Sequence, residues 1–114
     1  MKVLVCGGRD FYDVNLLFNT LNKIHKERKI SSIIEGDASG ADRLAGSWAI
    51  SKDVKLEKFP ANWKSYGRSA GMIRNKQMLE FGKPNLVIAC PGGKGTANMI
   101  KLAKEANVEV MEIK

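Results

Sequence analysis

Three glycine-bearing stretches hold most of the side chains able to bind or transform a ligand: GGRD at 7–10, EGDASGAD at 35–42 and PGGKGT at 91–96. The last is the densest. Glycine lets a backbone approach a ligand closely and adopt conformations that side chains forbid. The loop also stands directly before a helical pattern, whose free amides and dipole favour an anion. Gly92, Gly93 and Gly95 therefore read as a phosphate cradle in preference to a plain tight turn from strand to helix. Thr96 either caps the helix or donates its hydroxyl to the phosphate, and Lys94 points either to the ligand or to solvent. The spacing departs from the G-x-x-x-x-G-K-[ST] pattern of a Walker A loop.

The other two stretches offer charge. Arg9, directly after Gly8, suits a bidentate pair with a phosphate or carboxylate, or else an ion pair with Asp10 or Asp13. Asp13 itself fits the N-cap of a first helix. Glu35 and Asp37 follow a second apolar run, where acidic residues of dinucleotide folds contact ribose hydroxyls. The G-x-G-x-x-G fingerprint is missing after the first run, which disfavours a standard NAD site. Ser39 stands three residues before Asp42, the spacing of a capping box. Asp42 is thus equally a helix cap or a ligand contact. In NWKSYGRSAGMIRNKQM (62–78), Arg68, Arg74 and Lys76 mix with Trp63 and Tyr66. Either aromatic could stack on a base, but covering the edge of the core is the preferred reading for Trp63. Six residues separate Arg68 from Arg74, which keeps them off a common helical face.

Apolar runs alternating with helical patterns must position these loops. KVLVC (2–6), SIIE (32–35), VKLEKF (54–59), NLVIAC (85–90) and VEVMEI (108–113) read as strands. Helices are expected over about 14–27, 41–51, 66–82 and 95–106, the third with Ala70, Ile73, Gln77, Met78 and Phe81 aligned. Strictly alternating strands and helices imply a parallel sheet covered on both faces. With right-handed crossovers, the expected fold is a three-layer α/β/α, Rossmann-like domain spanning 1–114, its five strands in the order 3-2-1-4-5. The chain then reverses between the first and fourth strands, and ligands sit outside the carboxyl ends at such a switch point. GGRD and PGGKGT flank it.

A chain of 114 residues buries roughly two thirds of its unfolded surface and needs no disulfide or metal staple. No apolar run approaches the ~20 residues of a membrane span. MKVLVCGG reads as a first strand and not as a signal peptide, so the cytoplasm is the expected compartment and no membrane partner is expected. Cys6 and Cys90 match no metal-ligand spacing and read as small core hydrophobes. No metal or cofactor is expected. His25, in NKIHKERK, reads as a surface or dipole-facing residue. The net charge of +7 attracts phosphate-bearing partners, from small nucleotides to nucleic acid, although a solvated lysine-rich surface accounts for it equally.

Taken together and in order, GGRD, GDASGADRLA, NWKSYGRSAGMIRN and PGGKGTANMI resemble the small YspA/YpsA-related proteins of the SLOG superfamily, widespread in bacteria and their phages. The resemblance covers nearly the whole chain. It implies a Rossmann-like fold and a nucleotide or nucleotide-derived ligand, held by a sensor or sequestering module. On that reading Gly8, Arg9, Asp37, Asp42, Arg74, Asn75, Gly92, Gly93, Gly95 and Thr96 form the binding set.

The Lonely Guy phosphoribohydrolases of the same superfamily cleave the N-glycosidic bond of nucleoside 5′-monophosphates. Their motifs are M-H-x-R-K and P-G-G-x-G-T-x-x-E. MIRNKQM resembles the first, with Arg74 on its arginine and Asn75 where its lysine would be. PGGKGTANM resembles the second through Thr96, but Met99 stands in place of the glutamate. Glycoside cleavage needs a carboxylate beside an oxocarbenium-like transition state, and methionine supplies none. A phosphoribohydrolase would have to use a displaced carboxylate from Glu35, Asp37 or Asp42, with Asp42 and Arg74 the catalytic candidates. DNA-processing protein A also looks similar in its SLOG domain, which makes single-stranded nucleic acid a further alternative. The scattered basic residues form no continuous stripe, and that places it third. Such relatives often dimerise, so the resemblance leaves a homo-oligomer open.

Overall fold

The computed structural model describes residues 1–114. Its elements are β1 (Lys2–Cys6), α1 (Val14–Glu27), β2 (Ser32–Glu35), α2 (Ala41–Ser51), β3 (Lys55–Lys58), α3 (Trp63–Tyr66), α4 (Ala70–Gln77), β4 (Leu86–Ala89), α5 (Lys94–Glu105) and β5 (Glu109–Glu112). The five strands form one parallel sheet in the order β3-β2-β1-β4-β5, as the alternation of elements requires. The three inner strands are almost wholly buried, while β3 and β5 at the edges expose a charged residue at each end and only partly bury the two residues between. Lys55, Lys58, Glu109 and Glu112 keep those edges from pairing with another sheet.

Side chains on a strand point alternately to its two faces, and the core divides accordingly. Val3 and Val5 of β1 join Ile33, Leu86 and Ile88 against Leu17, Leu21 and Ile24 of α1 and Ala45, Trp48 and Ala49 of α2. Leu4 and Cys6 face the other way, with Ile34, Val87 and Ala89, against Met78, Met99 and Ala103. Asp13 caps α1, its Oδ1 accepting from the Leu16 amide at 3.1 Å. His25 is no simple surface residue: its Nδ1 accepts from the Ile30 amide at 3.0 Å and its ring meets Trp48 edge-on at 5.5 Å. It ties the end of α1 to the chain entering β2.

One long helix over 66–82 does not form. Asn62 caps the short α3 by accepting from the Ser65 amide at 3.1 Å. Gly67 then turns left-handed, at φ +54°, and ends it. A 3₁₀ turn over Gly67–Ser69 leads into α4, and a π-helical turn over Met78–Gly82 closes the segment. The wider π turn shifts the helical phase. Met78 stays buried, but Phe81, expected on the same apolar stripe, is 68% exposed.

Candidate functional site

At their carboxyl ends β1 and β4 run side by side and their loops part, one toward α1 and the other into α5. Glycines let the loops interlock. The Gly8 amide donates to Pro91 O at 2.8 Å, and its carbonyl accepts from Phe11 and Ala41 at 3.2 and 3.3 Å. A Cβ on Gly92 would strike the Thr96 hydroxyl and lie 2.7 Å from the Gly8 nitrogen. Gly40, at φ +76°, is pressed against the Gly8 and Arg9 carbonyls. Gly8 and Gly92 thus join backbone to backbone, and the Gly8 amide is already taken.

Gly93 and Gly95 differ. A Cβ on either would meet no protein atom within 4 Å, and neither has a positive φ. Packing does not require glycine at these positions, yet both border a cavity of about 270 Å³. The cavity opens where α5 begins. Gly93 is the N-cap, with no side-chain cap and no acidic residue in the first turn. The first intrahelical bond runs from the Ala97 amide to Gly93 O, 3.0 Å. The amides of Lys94, Gly95 and Thr96 precede it and have no acceptor within the protein. Thr96 is the third helical residue and buried, so it does not cap the helix.

The opposite wall is held by charge. The capping-box spacing of Ser39 and Asp42 is not used: α2 starts from Gly40 without a side-chain cap. Asp42 instead turns back, its Oδ2 accepting from the Gly36 and Ala38 amides at 3.2 Å each. Burial pushes its carboxyl up to about 6, against the pull of those two amides and of Arg74. Arg74 Nη1 donates to Gly36 O at 2.6 Å and its Nε to Asn75 Oδ1 at 3.0 Å. Asn75 is buried, and its Nδ2 donates to Gly95 O (3.1 Å) and Asn98 Oδ1 (3.0 Å). One chain of hydrogen bonds thus runs from the 36–38 loop through α4 to the first turn of α5.

Arg9 forms no ion pair with Asp10 or Asp13. It lies over the Trp63 ring, 5.4 Å from the centroid. Trp63 is not a cover for the core: it is 49% exposed and borders the cavity with Arg9, Asp42, Arg74 and Asn75. Cys6 lies at the floor, where burial raises its thiol far above the ordinary range; Cys90 is pushed up to about 12 for the same reason. Neither is a thiolate near neutral pH.

Residues 1–66 match the family described as YspA, cpYpsA-related SLOG. The chain belongs to that family. It is also similar to the Gene 61 protein of Mycobacterium phage D29, at 29% identity over 118 residues, covering 96% of this chain and 94% of that one. Its fold is similar to that of DNA processing protein A (DprA) from Streptococcus pneumoniae, with a TM-score of 0.77 and 17% identity. That likeness covers 97% of this chain and 49% of DprA, so the chain spans about half the length of that structure. The family match ends before the 91–96 loop, whose assignment rests on its geometry.

Not every expected residue of this SLOG domain reaches the first cavity. Gly92 lies outside its lining, and Asp37 borders a second cavity of about 340 Å³, its carboxylate 3.8 Å from Lys58. Glu35 is buried and faces a recess between α2 and β3. Burial first, then the charge of Asp42, pushes it up to about 7. Met99 is fully buried beneath the sheet face, among Leu4, Val87 and Ala103. Asn98, which accepts from Asn75, and Arg43, which borders the second cavity, are residues that the sequence alone does not single out. Only the helical phase of α5 relative to α4 reveals Asn98, whereas Arg43 had a signal in its place beside Asp42 in the first turn of α2.

Proposed function

We propose that this protein binds a nucleotide or nucleotide-derived ligand, with a phosphate seated on the N-terminus of α5. One observation carries the reading. The amides of Lys94, Gly95 and Thr96 lack partners, no carboxylate stands in that helical turn, and Gly93 and Gly95 keep the approach clear. A helix N-terminus of this kind stabilises an anion through its amides and its dipole. Arg74 borders the same cavity and adds positive charge; Asp42 is the one carboxylate lining it, and on this reading it accepts from a ribose hydroxyl. Trp63, exposed under Arg9, offers a face on which a base can stack. Such a module acts as a sensor or a sequestering protein.

A second reading, glycosidic hydrolysis of a bound nucleotide, is favoured by Asp42 alone: its raised carboxyl fits proton transfer near neutrality. Thermal-shift titration with nucleoside mono-, di- and triphosphates, beside single-stranded oligonucleotides, separates the binding classes. Stabilisation by small nucleotides is the expected result. Stabilisation by oligonucleotides alone, lost with added salt, would overturn it in favour of a nucleic-acid groove, in line with the DNA processing named for DprA. Free base released from a bound monophosphate would establish the hydrolytic reading.

A further inference from the structure

The crevice has two chambers. The second cavity shares Arg9, Ala38, Trp63 and Arg74 with the first and extends toward Ser39, Arg43 and Pro60. Three arginines, Arg9, Arg43 and Arg74, border this one space, and Arg43 also borders the recess beside Glu35 and Asp37. None of them forms an ion pair within the protein. The one carboxylate in the lining, Asp37, is drawn toward Lys58. Like charges gathered in a concave space repel one another unless a counter-charge enters. Arginine is always protonated, so the repulsion cannot be relieved by losing a proton. The three come from separate elements: the loop after β1, the first turn of α2, and α4. No helical repeat or solvated stripe explains their convergence. Arg74 is fixed by Gly36 and Asn75, whereas Arg43 is exposed and Arg9, also exposed, rests over the Trp63 ring.

We propose that the ligand carries two separated phosphates: one on the N-terminus of α5 in the first chamber and one among Arg9, Arg43 and Arg74 in the second. The nucleoside between them passes Trp63 at the junction. The ligand class is therefore a nucleoside bisphosphate or a similarly doubly charged nucleotide derivative. This rests on the reading of the α5 terminus as a phosphate site and adds the second anion to it.

The test compares nucleoside 5′-monophosphates, 5′-diphosphates and 3′,5′-bisphosphates of all four bases by titration calorimetry. Trp63 fluorescence serves as a second readout, because Trp48 is wholly buried. For one base, the 3′,5′-bisphosphate is expected to bind at least about tenfold more tightly than its 5′-monophosphate, the factor for one charge-assisted contact of about 1.4 kcal/mol. Arg43→Ala should bring that ratio down to about one. Lys52→Ala, which removes the same charge from the far end of α2, should leave the ratio standing. Equal affinity for mono- and bisphosphates, with Arg43→Ala changing nothing, overturns the second site and leaves the first intact. A 5′-diphosphate binding as tightly as the bisphosphate overturns it too, because adjacent phosphates then suffice. Absence of binding by every small nucleotide removes the α5 site itself.

Discussion

The N-termini of α2 and α5 both open at the carboxyl edge of the sheet, both start from glycine, and neither has a side-chain cap. Their surroundings differ. At α2 the leading amide, from Ala41, is taken by Gly8 O, and the second helical residue is an aspartate whose carboxylate gathers the Gly36 and Ala38 amides. At α5 the equivalent second residue is Gly95, and the three leading amides are unclaimed. One terminus carries its own anion and organises a loop. The other carries none, which on the proposed reading leaves it for an anion from outside. The difference shows why a glycine-rich turn alone does not define a binding site. What matters is whether the protein already supplies the negative charge.

The sharpest way to break this comparison is to make α5 resemble α2. Gly95→Asp places a carboxylate at the position Asp42 occupies in α2, and a Cβ there meets no neighbouring atom. The fold should survive. Nucleotide affinity should fall by about 4 kcal/mol, the repulsion of two charges ~4 Å apart at an effective dielectric near 20. Calorimetric titration measures it, and unchanged affinity would place the phosphate elsewhere.

The converse change makes α2 resemble α5. Asp42→Ala strips the Gly36 and Ala38 amides of their acceptor and should cost about 2–6 kcal/mol of stability, at roughly 1–3 kcal/mol for each amide left unpaired, the lower end applying to the part-buried Ala38. Asp42→Asn retains an acceptor oxygen and should cost less. Urea denaturation of both variants reads the difference. Equal losses would show that charge, and not hydrogen bonding, holds the 36–38 loop.

A smaller effect follows from pH. The Asp42 and Glu35 carboxyls are raised in the fold to about 6 and about 7, so the folded state holds protons that the unfolded chain has released. Their contribution is full below about pH 4 and declines as the pH rises through those folded values. A tenfold difference in proton affinity between the folded and unfolded chain corresponds to about 1.4 kcal/mol. The loss between pH 4 and 7 should therefore be on the order of 2–3 kcal/mol for each of the two groups taken singly. Denaturation midpoints across that range check it, and Asp42→Asn should flatten the slope. A rise in stability over the same window would mean that both groups are ionised and well compensated.

Strand order was legible in the sequence because strict alternation of elements, with right-handed crossovers, leaves few topologies. The turn at PGGKGT from β4 into α5 was legible because a glycine-dense stretch between an apolar run and a helical pattern marks such a turn. Other features were hidden for physical reasons. The Ser39–Asp42 spacing suits a capping box, but Gly40 moved the helix start by one residue and turned the carboxylate toward the loop behind it. Phe81 fell off its stripe because a π turn changes the period that the pattern assumed. Arg43 reads as one more basic residue on a helix; only the fold brings it near Arg9 and Arg74.

The central claim concerns three backbone amides, and an amide-resolved NMR titration with nucleoside 5′-monophosphates tests it most directly. The account predicts that Lys94, Gly95 and Thr96 shift strongly and saturate together, while Gly36 and Ala38, already bonded to Asp42, move little. Saturable shifts centred on Gly36 and Ala38, with the first turn of α5 unmoved, would contradict it.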